Sequence, residues 1–257
     1  MKNIYKNILI TGASSGIGKG LAVFYAKNGA ENLFISGRNA KRLNEVEKEC
    51  KKHCKNVFAV KLDVTDRDAM RNWINESNSK AALDLVYANA GVGTTDDGIE
   101  AAYDTFNINI NGVLNTVLPV IEIYKKSERK SINDIKSIAV LSSIAGYHGL
   151  ATCPDYSATK ACVKAWGEAL RIKLKPEGIN VSVICPGFVK SNITDQNTCS
   201  MPGIKEIDEA AEIIADGLNK HKAVISFPWY LRLATWFLSI LPNFISDYIY
   251  SILPQKA

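Results

Sequence analysis

Short apolar runs alternate with segments of helical periodicity along nearly the whole chain. Seven such runs predict β-strands: NILIT, NLFIS, VFAVKLDV, LDLVYANAG, IAVLSSIAG, NVSVICPG and AVISFP. Between the strands, polar segments bring apolar residues to one helical face, as with Met70, Trp73 and Ile74. Because crossovers between parallel strands are right-handed, this order predicts an α/β fold, a doubly wound parallel sheet of about seven strands.

Length and charge limit the classes of protein that the chain can represent. Its 257 residues, 47% of them hydrophobic, suit one large α/β domain, predicted over residues 1–228, followed by an extension over 229–257. The net charge of +5 indicates a mildly basic surface and argues against a nucleic-acid partner. Six cysteines without a C-x-x-C pair argue against a metal site or a disulfide framework. Free thiols and the lack of a long apolar N-terminal run predict a cytoplasmic protein.

A glycine-rich turn, TGASSGIGKG, directly follows the first predicted strand and opens the first helix. Gly12, Gly16 and Gly18 let the backbone turn tightly and let a pyrophosphate approach the N–H groups at the helix N-terminus. Glycines alone are a weak signal, but their position after the first strand of an α/β chain is specific. The turn therefore predicts a dinucleotide site.

The end of the second predicted strand distinguishes the two nicotinamide dinucleotides. An acidic side chain there bonds the ribose hydroxyls, whereas a basic one suits a 2′-phosphate. This chain reads LFISGRN, with Arg38 just past the strand, while Glu31 lies at the strand's other end. The pattern predicts NADP(H), with Arg38 as the phosphate partner. The alternative is that Arg38 is an ordinary surface residue of the second helix.

A tyrosine and a lysine lie one helical turn apart in PDYSATKACVKAW. Tyr156 and Lys160, at positions i and i+4, share one helix face. A neighbouring ammonium lowers a phenol pKa from its usual value near 10, which makes Tyr156 a usable proton donor and acceptor. Thirteen residues upstream of Tyr156, Ser143 follows a predicted strand, and strand ends are where open α/β sheets bind ligands. These residues predict an active site at that edge.

In combination the motifs resemble those of the short-chain dehydrogenase/reductase family. The resemblance runs over about residues 6–228 and is carried by TGASSGIG, LDVTD, NAG, the segment around Asn109, SS before YSATK, and PGFV, in order and at familiar spacing. It implies a Rossmann-type fold and hydride transfer between a nicotinamide cofactor and a carbonyl/alcohol pair. It also implies a homodimer or homotetramer that forms through the long helices at 109–124 and 156–174.

The resemblance also implies a role for each site residue. Ser143 would polarise the substrate oxygen, and Tyr156 would transfer the proton. Lys160 would bind the nicotinamide ribose and lower the Tyr156 pKa, while Asn109 would hold a water of the proton relay. With the residues predicted above from the glycine turn and the second strand, the predicted cofactor contacts are Gly12, Ser14, Ser15, Gly16, Ile17, Gly18, Arg38, Asp63, Val64, Asn89, Ala90, Gly91, Tyr156, Lys160, Pro186, Gly187, Val189 and Ser191.

Several of these assignments have an ordinary structural alternative. Ser142 or Ser143 can cap the end of a strand, Asn109 can be one of several asparagines on an ordinary helix, and Asp63 can be a turn residue. The chain also departs from the family at Ser191, where many members have threonine. A serine hydroxyl can make the same hydrogen bond to the nicotinamide carboxamide.

The largest departure from the family is the aromatic tail at 229–257, WYLRLATWFLSILPNFISDYIYSILPQKA. Its longest uncharged run, at 233–246, contains a proline and is shorter than the roughly 20 residues that span a bilayer. The tail can pack on the sheet or in a subunit interface, form an apolar lid for a lipophilic substrate, or lie on a membrane surface as a peripheral contact. The segment at 191–206 is the predicted substrate loop, expected to close over the cofactor.

The apolar tail favours a lipophilic carbonyl or alcohol as the small-molecule substrate. A 3-oxoacyl thioester is the alternative substrate, since the basic clusters could meet an acidic carrier protein. A non-catalytic NADP(H) sensor is a further alternative, against which the intact Ser143, Tyr156 and Lys160 argue.

Overall fold

A parallel sheet, covered by helices on both faces, forms the body of the protein. The computed structural model describes residues 3–93, 98–127, 136–191, 194 and 201–252. Within these ranges seven strands pair in the order β3-β2-β1-β4-β5-β6-β7. The strands are β1 (Asn7–Ile10), β2 (Asn32–Gly37), β3 (Asn56–Lys61), β4 (Leu85–Ala88), β5 (Ser137–Leu141), β6 (Asn180–Pro186) and β7 (Val224–Phe227). The predicted doubly wound sheet is confirmed.

The helices follow the strands in the order that the apolar periodicity predicts. They are α1 (Gly16–Lys27), α2 (Ala40–Cys50), α3 (Arg67–Lys80), α4 (Ile99–Phe106), α5 (Gly112–Lys126), α6 (Pro154–Leu174), α7 (Ile207–Asn219), α8 (Trp229–Ile240) and α9 (Asn243–Ile252). A π-helical segment, Asn107–Asn111, joins α4 to α5, and short 3₁₀ turns lie at Ile144–Gly146 and Lys175–Glu177. Buried residues of α1, α2 and α7 pack on one face of the sheet, and those of α3, α5 and α6 pack on the other.

Side-chain caps fix where the second and third helices begin. Asn39 Oδ1 accepts a hydrogen bond from Arg42 N at the start of α2. Asp66 Oδ1 accepts one from Ala69 N at the start of α3. Such caps satisfy N–H groups that have no partner within the helix. The apolar face of each helix packs against the sheet, as the sequence predicts. The buried residues on these faces include Leu43, Val46 and Cys50 on α2, and Met70, Trp73 and Ile74 on α3.

Several strands end before the apolar runs that predict them. The run through Val64 continues beyond β3, and the runs through Gly91 and Gly146 continue beyond β4 and β5. The residues past these strand ends leave the ladder because their polar groups bond to neighbouring loops and helices, as described below. They meet at the carboxyl edge of the sheet, where the strand order reverses between β1 and β4, so that ligands find a crevice there.

Residues 229–252 of the aromatic tail form two helices, and the first of them lies at the β7 edge of the sheet. Helix α8 packs against β7 and the 3₁₀ turn after β5, and none of its twelve residues, all described, is fully buried. Large apolar side chains are exposed on both helices, among them Trp229, Trp236 and Phe244. In the described part of the chain, no helix is both long and apolar enough to cross a bilayer. Of the predicted substrate loop, residues 192, 193 and 195–200 lie outside the described residues.

Candidate active site

The glycine-rich turn between β1 and α1 fits closely against the end of β4. Gly12 has a φ of +67°, and a Cβ built on it would lie 2.8 Å from Ala90 Cα. A Cβ on Gly18 would lie 2.5 Å from Gly12 O. Both positions therefore require glycine, since real Cβ atoms do not approach other atoms so closely. Gly16 also has a positive φ, of +54°, and faces Ser191 across the turn.

Asn89 ties this turn to the end of β4. Its Nδ2 donates to Thr11 O at 3.0 Å and to Gly12 O at 3.2 Å, while Thr11 Oγ1 accepts from Asn89 N at 3.1 Å. Asn89 Oδ1 is buried and has no hydrogen-bond partner in the described protein. A buried acceptor of this kind calls for a donor from outside the chain. This oxygen is one mark of a ligand site beside the turn.

The N-terminus of α1 suits an anionic group. Ser15 precedes the helix without a side-chain cap, and the first turn of α1 carries no acidic residue. The first N–H groups of the helix and the positive end of its dipole are thus open to an anion such as a diphosphate. With the cradle made by Gly12 and Gly18, the residues present fit a dinucleotide.

The predicted 2′-phosphate contact lies beside this turn. Arg38 directly follows β2 and is exposed. The preceding residue, Gly37, packs on Ser14, because a Cβ on Gly37 would lie 3.0 Å from Ser14 Oγ. Ser14 of the glycine turn and Arg38 are therefore close along the end of β2. A hydroxyl beside a guanidinium is a suitable pair of donors for a phosphate.

Asp63 occupies a turn after β3, which is the structural alternative that the sequence leaves open. Its Oδ1 accepts hydrogen bonds from Thr65 N at 3.0 Å and Thr65 Oγ1 at 2.9 Å. The next residue, Val64, is buried, and its carbonyl accepts from Asn115 Nδ2 on α5 at 2.9 Å. The turn fixes the backbone at the predicted adenine contact, whose role in binding stays a prediction.

Ser143 and Tyr156 meet at the carboxyl end of β5. Ser143 Oγ accepts from Ala145 N at 3.1 Å and so caps the 3₁₀ turn, as the structural alternative predicts. A hydrogen bond also joins the Ser143 and Tyr156 side chains. Burial raises the pKa of Tyr156 to about 12, although the bond with Ser143 acts to lower it. The prediction that Lys160 lowers the Tyr156 pKa is therefore wrong for this structure: loss of hydration disfavours the phenolate, and Lys160 Nζ lies 5.5 Å from the ring centroid.

Lys160 is held at both of its ends by the carboxyl end of β5. Its side chain is buried, with Nζ donating to Leu141 O at 3.1 Å, and its carbonyl accepts from Ser142 Oγ at 2.7 Å. Burial lowers the pKa of Lys160 to about 8, because the ammonium loses its hydration. Strongly shifted lysine and tyrosine pKa values in one cluster are typical of functional sites.

Asn109 lies in the π-helical segment between α4 and α5, and not on an ordinary helix. Its Oδ1 accepts from Val92 N at 2.8 Å, and its Nδ2 donates to Val92 O at 3.0 Å and to Thr159 Oγ1 at 3.1 Å. A Cβ on Gly91 would lie 3.0 Å from Asn109 Oδ1 and 3.3 Å from Lys160 Nζ. The wider π turn is a frequent feature of functional sites. It brings Asn109 and Lys160 together at Gly91.

The segment after β6 forms the opposite wall of the groove. Gly187 N donates to Phe227 O at 2.7 Å, and Val189 pairs with Lys205 in an isolated parallel bridge. A Cβ on Gly16 would lie 3.2 Å from Ser191 Cβ. Pro186 O accepts from Ser143 Oγ at 3.4 Å. The structure therefore brings this wall, the glycine turn and the Ser143 cluster to one edge of the sheet.

Comparison with known protein families agrees with this arrangement. The family model described as short chain dehydrogenase matches residues 6–201 of the chain. The chain belongs to the short-chain dehydrogenase family. As a member of this family the protein is an oxidoreductase with the Rossmann-type fold described above.

Similar short-chain dehydrogenases come from bacteria and plants. An uncharacterised oxidoreductase of Myxococcus xanthus is 36% identical, over 95% of this chain and 95% of its own length. A diacetyl reductase, (S)-acetoin forming, of Staphylococcus epidermidis is 30% identical, over 95% and 94%. An 11-beta-hydroxysteroid dehydrogenase-like protein, 4A, of Arabidopsis thaliana is 28% identical, over 93% and 82%.

Solved structures of short-chain dehydrogenases share the fold. One from Sphingobium yanoikuyae in complex with NADPH has a TM-score of 0.78 at 23% identity and covers 97% of both chains. One from Burkholderia phymatum in complex with NAD has a TM-score of 0.80 at 20% identity and covers 93% of this chain and 94% of its own. At these identities the likeness shows the fold alone.

Three residues that hold together the site of this short-chain dehydrogenase were not predicted as site residues from the sequence. Thr11 holds the end of β4, Thr159 holds Asn109, and Ser142 holds the carbonyl of Lys160. Each lies inside or beside one of the family motifs, and this position is the only feature of the sequence that points to it. Their partners lie far along the chain, however, so neither periodicity nor spacing reveals the bonds.

Two of the cysteines, Cys50 and Cys54, belong to the hydrophobic core. Cys50 and Cys54 are buried on the α2 side of the sheet. Among the described residues, no three His, Cys, Asp or Glu side chains cluster closely enough to hold a metal ion.

Proposed function

We propose that this oxidoreductase uses NADP(H) to interconvert a lipophilic carbonyl compound and its alcohol, with Tyr156 as the proton donor or acceptor. The observation that carries the proposal is the hydrogen-bonded pair Ser143 and Tyr156 beside the buried Lys160, at the same sheet edge as the glycine turn. Such a triad can protonate an oxygen atom and stabilise the charge that develops on it.

The glycine turn and the N-terminus of α1 would hold the diphosphate, with Ser14 and Arg38 at the 2′-phosphate. Asn89 Oδ1, buried without a partner, would accept a hydrogen bond from the ligand. When bound, the nicotinamide supplies or accepts the hydride. The remaining chemistry would belong to Ser143 after β5 and to Tyr156 and Lys160 on α6.

The chain's own groups manage the proton. Because the Tyr156 pKa is raised to about 12, the phenol keeps its proton at neutral pH and is ready to donate it to a carbonyl oxygen. Ser143 lies within hydrogen-bond reach of the same phenol and can bind that oxygen. The Lys160 ammonium would stabilise the negative charge that develops on the phenol oxygen as the proton leaves. The protonated phenol is the form that reduction of a carbonyl requires.

Replacement of Arg38 tests the cofactor assignment. In Arg38→Asp the carboxylate would repel a 2′-phosphate and accept bonds from ribose hydroxyls. We expect kcat/KM for NADPH to fall by about tenfold or more, as for loss of a charge-assisted bond, while kcat/KM for NADH is retained or rises. Arg42→Asp is the matched control, since Arg42 is also exposed but lies one turn into α2. An unchanged preference for NADPH in Arg38→Asp would contradict the assignment.

The tail supports a lipophilic substrate. Helix α8 lies against the 3₁₀ turn that begins at Ser143, and it exposes Leu233, Trp236 and Phe237. The name of the Arabidopsis relative points to steroid-like compounds, whereas that of the Staphylococcus relative points to a small diketone. Both classes therefore belong in the test.

NADPH consumption with aldehydes and ketones graded by chain length and ring number tests the substrate class, with diacetyl included. We expect kcat/KM to rise with apolar size. A maximum at diacetyl would contradict the lipophilic assignment while leaving the oxidoreductase intact. Tight NADPH binding without turnover on any member of the panel would favour the sensor instead.

A homodimer or homotetramer built on α5 and α6 belongs to the same proposal. Leu118 on α5 and Ile172 on α6 are both exposed, with 45% and 66% of their surface accessible. Both residues lie on the helices through which the resemblance predicts assembly. Sedimentation velocity of Leu118→Glu and Ile172→Glu against the unmodified protein tests the assembly, and a monomer in all three samples would contradict it.

A further inference from the structure

Three consecutive residues at the carboxyl end of β5 each bond a different part of helix α6. Leu141 O accepts from Lys160 Nζ, Ser142 Oγ donates to Lys160 O, and the Ser143 side chain bonds the Tyr156 phenol. Ser142 is itself fixed to the sheet, because its N–H donates to Ile184 O of β6 at 2.8 Å. The sheet thus holds the catalytic turn of α6 by both its side chains and its backbone.

The contact between Ser142 and Lys160 is closely packed. Ser142 is 1% exposed and Lys160 3% exposed, and the Oγ to O distance is 2.7 Å. Gly146 makes room for this contact: a Cβ there would lie 2.7 Å from Lys160 O and 3.0 Å from Ser142 Oγ. The hydroxyl, the carbonyl and the missing Cβ form one unit, which we call the carbonyl anchor (Ser142, Gly146, Lys160).

We propose that Ser142 is a positioning residue that sets the placement of Lys160, and through it of Tyr156, by holding the Lys160 carbonyl. This inference rests on the proposed function, in which Lys160 binds a ribose. In that state Nζ makes bonds to the ligand in competition with Leu141 O. The side-chain tie to the sheet is then weakened, while the carbonyl anchor does not involve Nζ and persists.

The carbonyl anchor also has an electrostatic consequence. The Lys160 ammonium is buried at a cost, which is why its pKa is lowered to about 8. An unanchored backbone lets the lysine shift towards solvent, and its pKa then returns towards the ordinary value of 10.5. A displacement of Lys160 should therefore change the pH dependence of turnover as well as its rate.

Ser142→Ala tests the inference, with Ser182→Ala as the matched control. Ser182 is 4% exposed on β6, and its Oγ donates to a backbone carbonyl, Lys222 O, at the same distance of 2.7 Å. Both variants lose one buried hydroxyl-to-carbonyl bond, so a loss of stability alone appears in both. Melting temperature and the Kd for NADPH confirm that each variant is folded.

For Ser142→Ala we expect kcat to fall by about tenfold, since displacements of a fraction of an ångström have effects of this order. We also expect the titration limb near pH 8 in kcat/KM to move to higher pH. Ser182→Ala is expected to keep both properties. Equal kcat values and coincident pH profiles for Ser142→Ala and the unmodified protein would overturn the inference.

Gly146→Ala provides a second variant that keeps every hydroxyl. The added Cβ displaces the Lys160 carbonyl, so kcat is expected to fall and the limb to move as in Ser142→Ala. A folded Gly146→Ala with unchanged kcat and pH profile would count against the inference even where Ser142→Ala fails to fold. Tyr156→Phe separates the two proposals: turnover that persists in Tyr156→Phe refutes the proposed function, whereas an unaltered Ser142→Ala refutes only the positioning role.

Discussion

Replacement of the buried Lys160 by methionine is expected to stabilise the protein while removing its activity. A pKa lowered from 10.5 to about 8 corresponds to about 3 kcal/mol of unfavourable burial of the ammonium. Methionine has a similar length and no charge, so it removes this cost. It also leaves Leu141 O without its bond from Nζ, a loss of about 1 kcal/mol. We therefore expect a net gain in the free energy of unfolding of about 2 kcal/mol at neutral pH.

The pH dependence distinguishes this cause from better packing. Below about pH 8 Lys160 is charged in both the folded and the unfolded wild-type protein, and the folded state carries the full cost. As the pH rises from about 8 towards 10.5, the folded protein loses this proton first, so the wild type gains stability and the advantage of Lys160→Met shrinks.

Urea unfolding of Lys160→Met and the wild type at pH 7 and pH 10 measures the effect. Lys164→Met is the control, because Lys164 pairs with Glu168 at 3.0 Å and its replacement brings no gain. A Lys160→Met variant that is less stable than the wild type at pH 7, or whose advantage is the same at pH 10, would refute the reasoning.

Three further variants test separate parts of the site and fold. Gly18→Ala places a Cβ 2.5 Å from Gly12 O, so we expect a stability loss of about 1 to 3 kcal/mol and weaker NADPH binding in calorimetry; unchanged affinity would contradict the cradle. Asn109→Ala leaves Val92 N without its partner, so the free energy of unfolding should fall by about 2 kcal/mol and kcat should fall as well. A fully active variant would contradict a role of Asn109 in the site. Lys136→Met removes the buried ammonium that bonds the carbonyls at the end of α5, so the melting temperature should fall while kcat stays unchanged; a reduced kcat would show coupling to the site.

The sheet was predictable because its five inner strands are buried on both sides. Strands of this kind are continuous apolar runs such as NLFIS and NVSVICPG, and in this chain segments of helical periodicity separate them. The glycine turn was predictable for a similar reason, since a positive φ at Gly12 and the close approach of Ala90 both demand glycine. The glycines and their place after the first strand are local features of the sequence, whereas the contact between Gly12 and Ala90 joins distant parts of the chain.

The electrostatics of the site depend on burial, which the sequence does not show. The i, i+4 spacing places Tyr156 and Lys160 on one helix face, but it cannot tell how deeply the helix turn is buried. Burial raises the Tyr156 pKa and lowers that of Lys160, in each case disfavouring the charged form. Likewise, the π turn at Asn109 arises from bonds to Val92 and Thr159, which are distant in the chain.

Transfer of deuterium from NADPH that carries deuterium in place of both hydrogens at the nicotinamide C4 tests the central claim most directly. With the preferred ketone of the substrate panel, we predict one deuterium per molecule of alcohol, bound to the carbinol carbon. We predict no such product with Tyr156→Phe, which keeps the ring and removes the proton that the phenol donates. Unlabelled alcohol, or labelled alcohol formed equally fast by Tyr156→Phe, would contradict hydride transfer assisted by Tyr156.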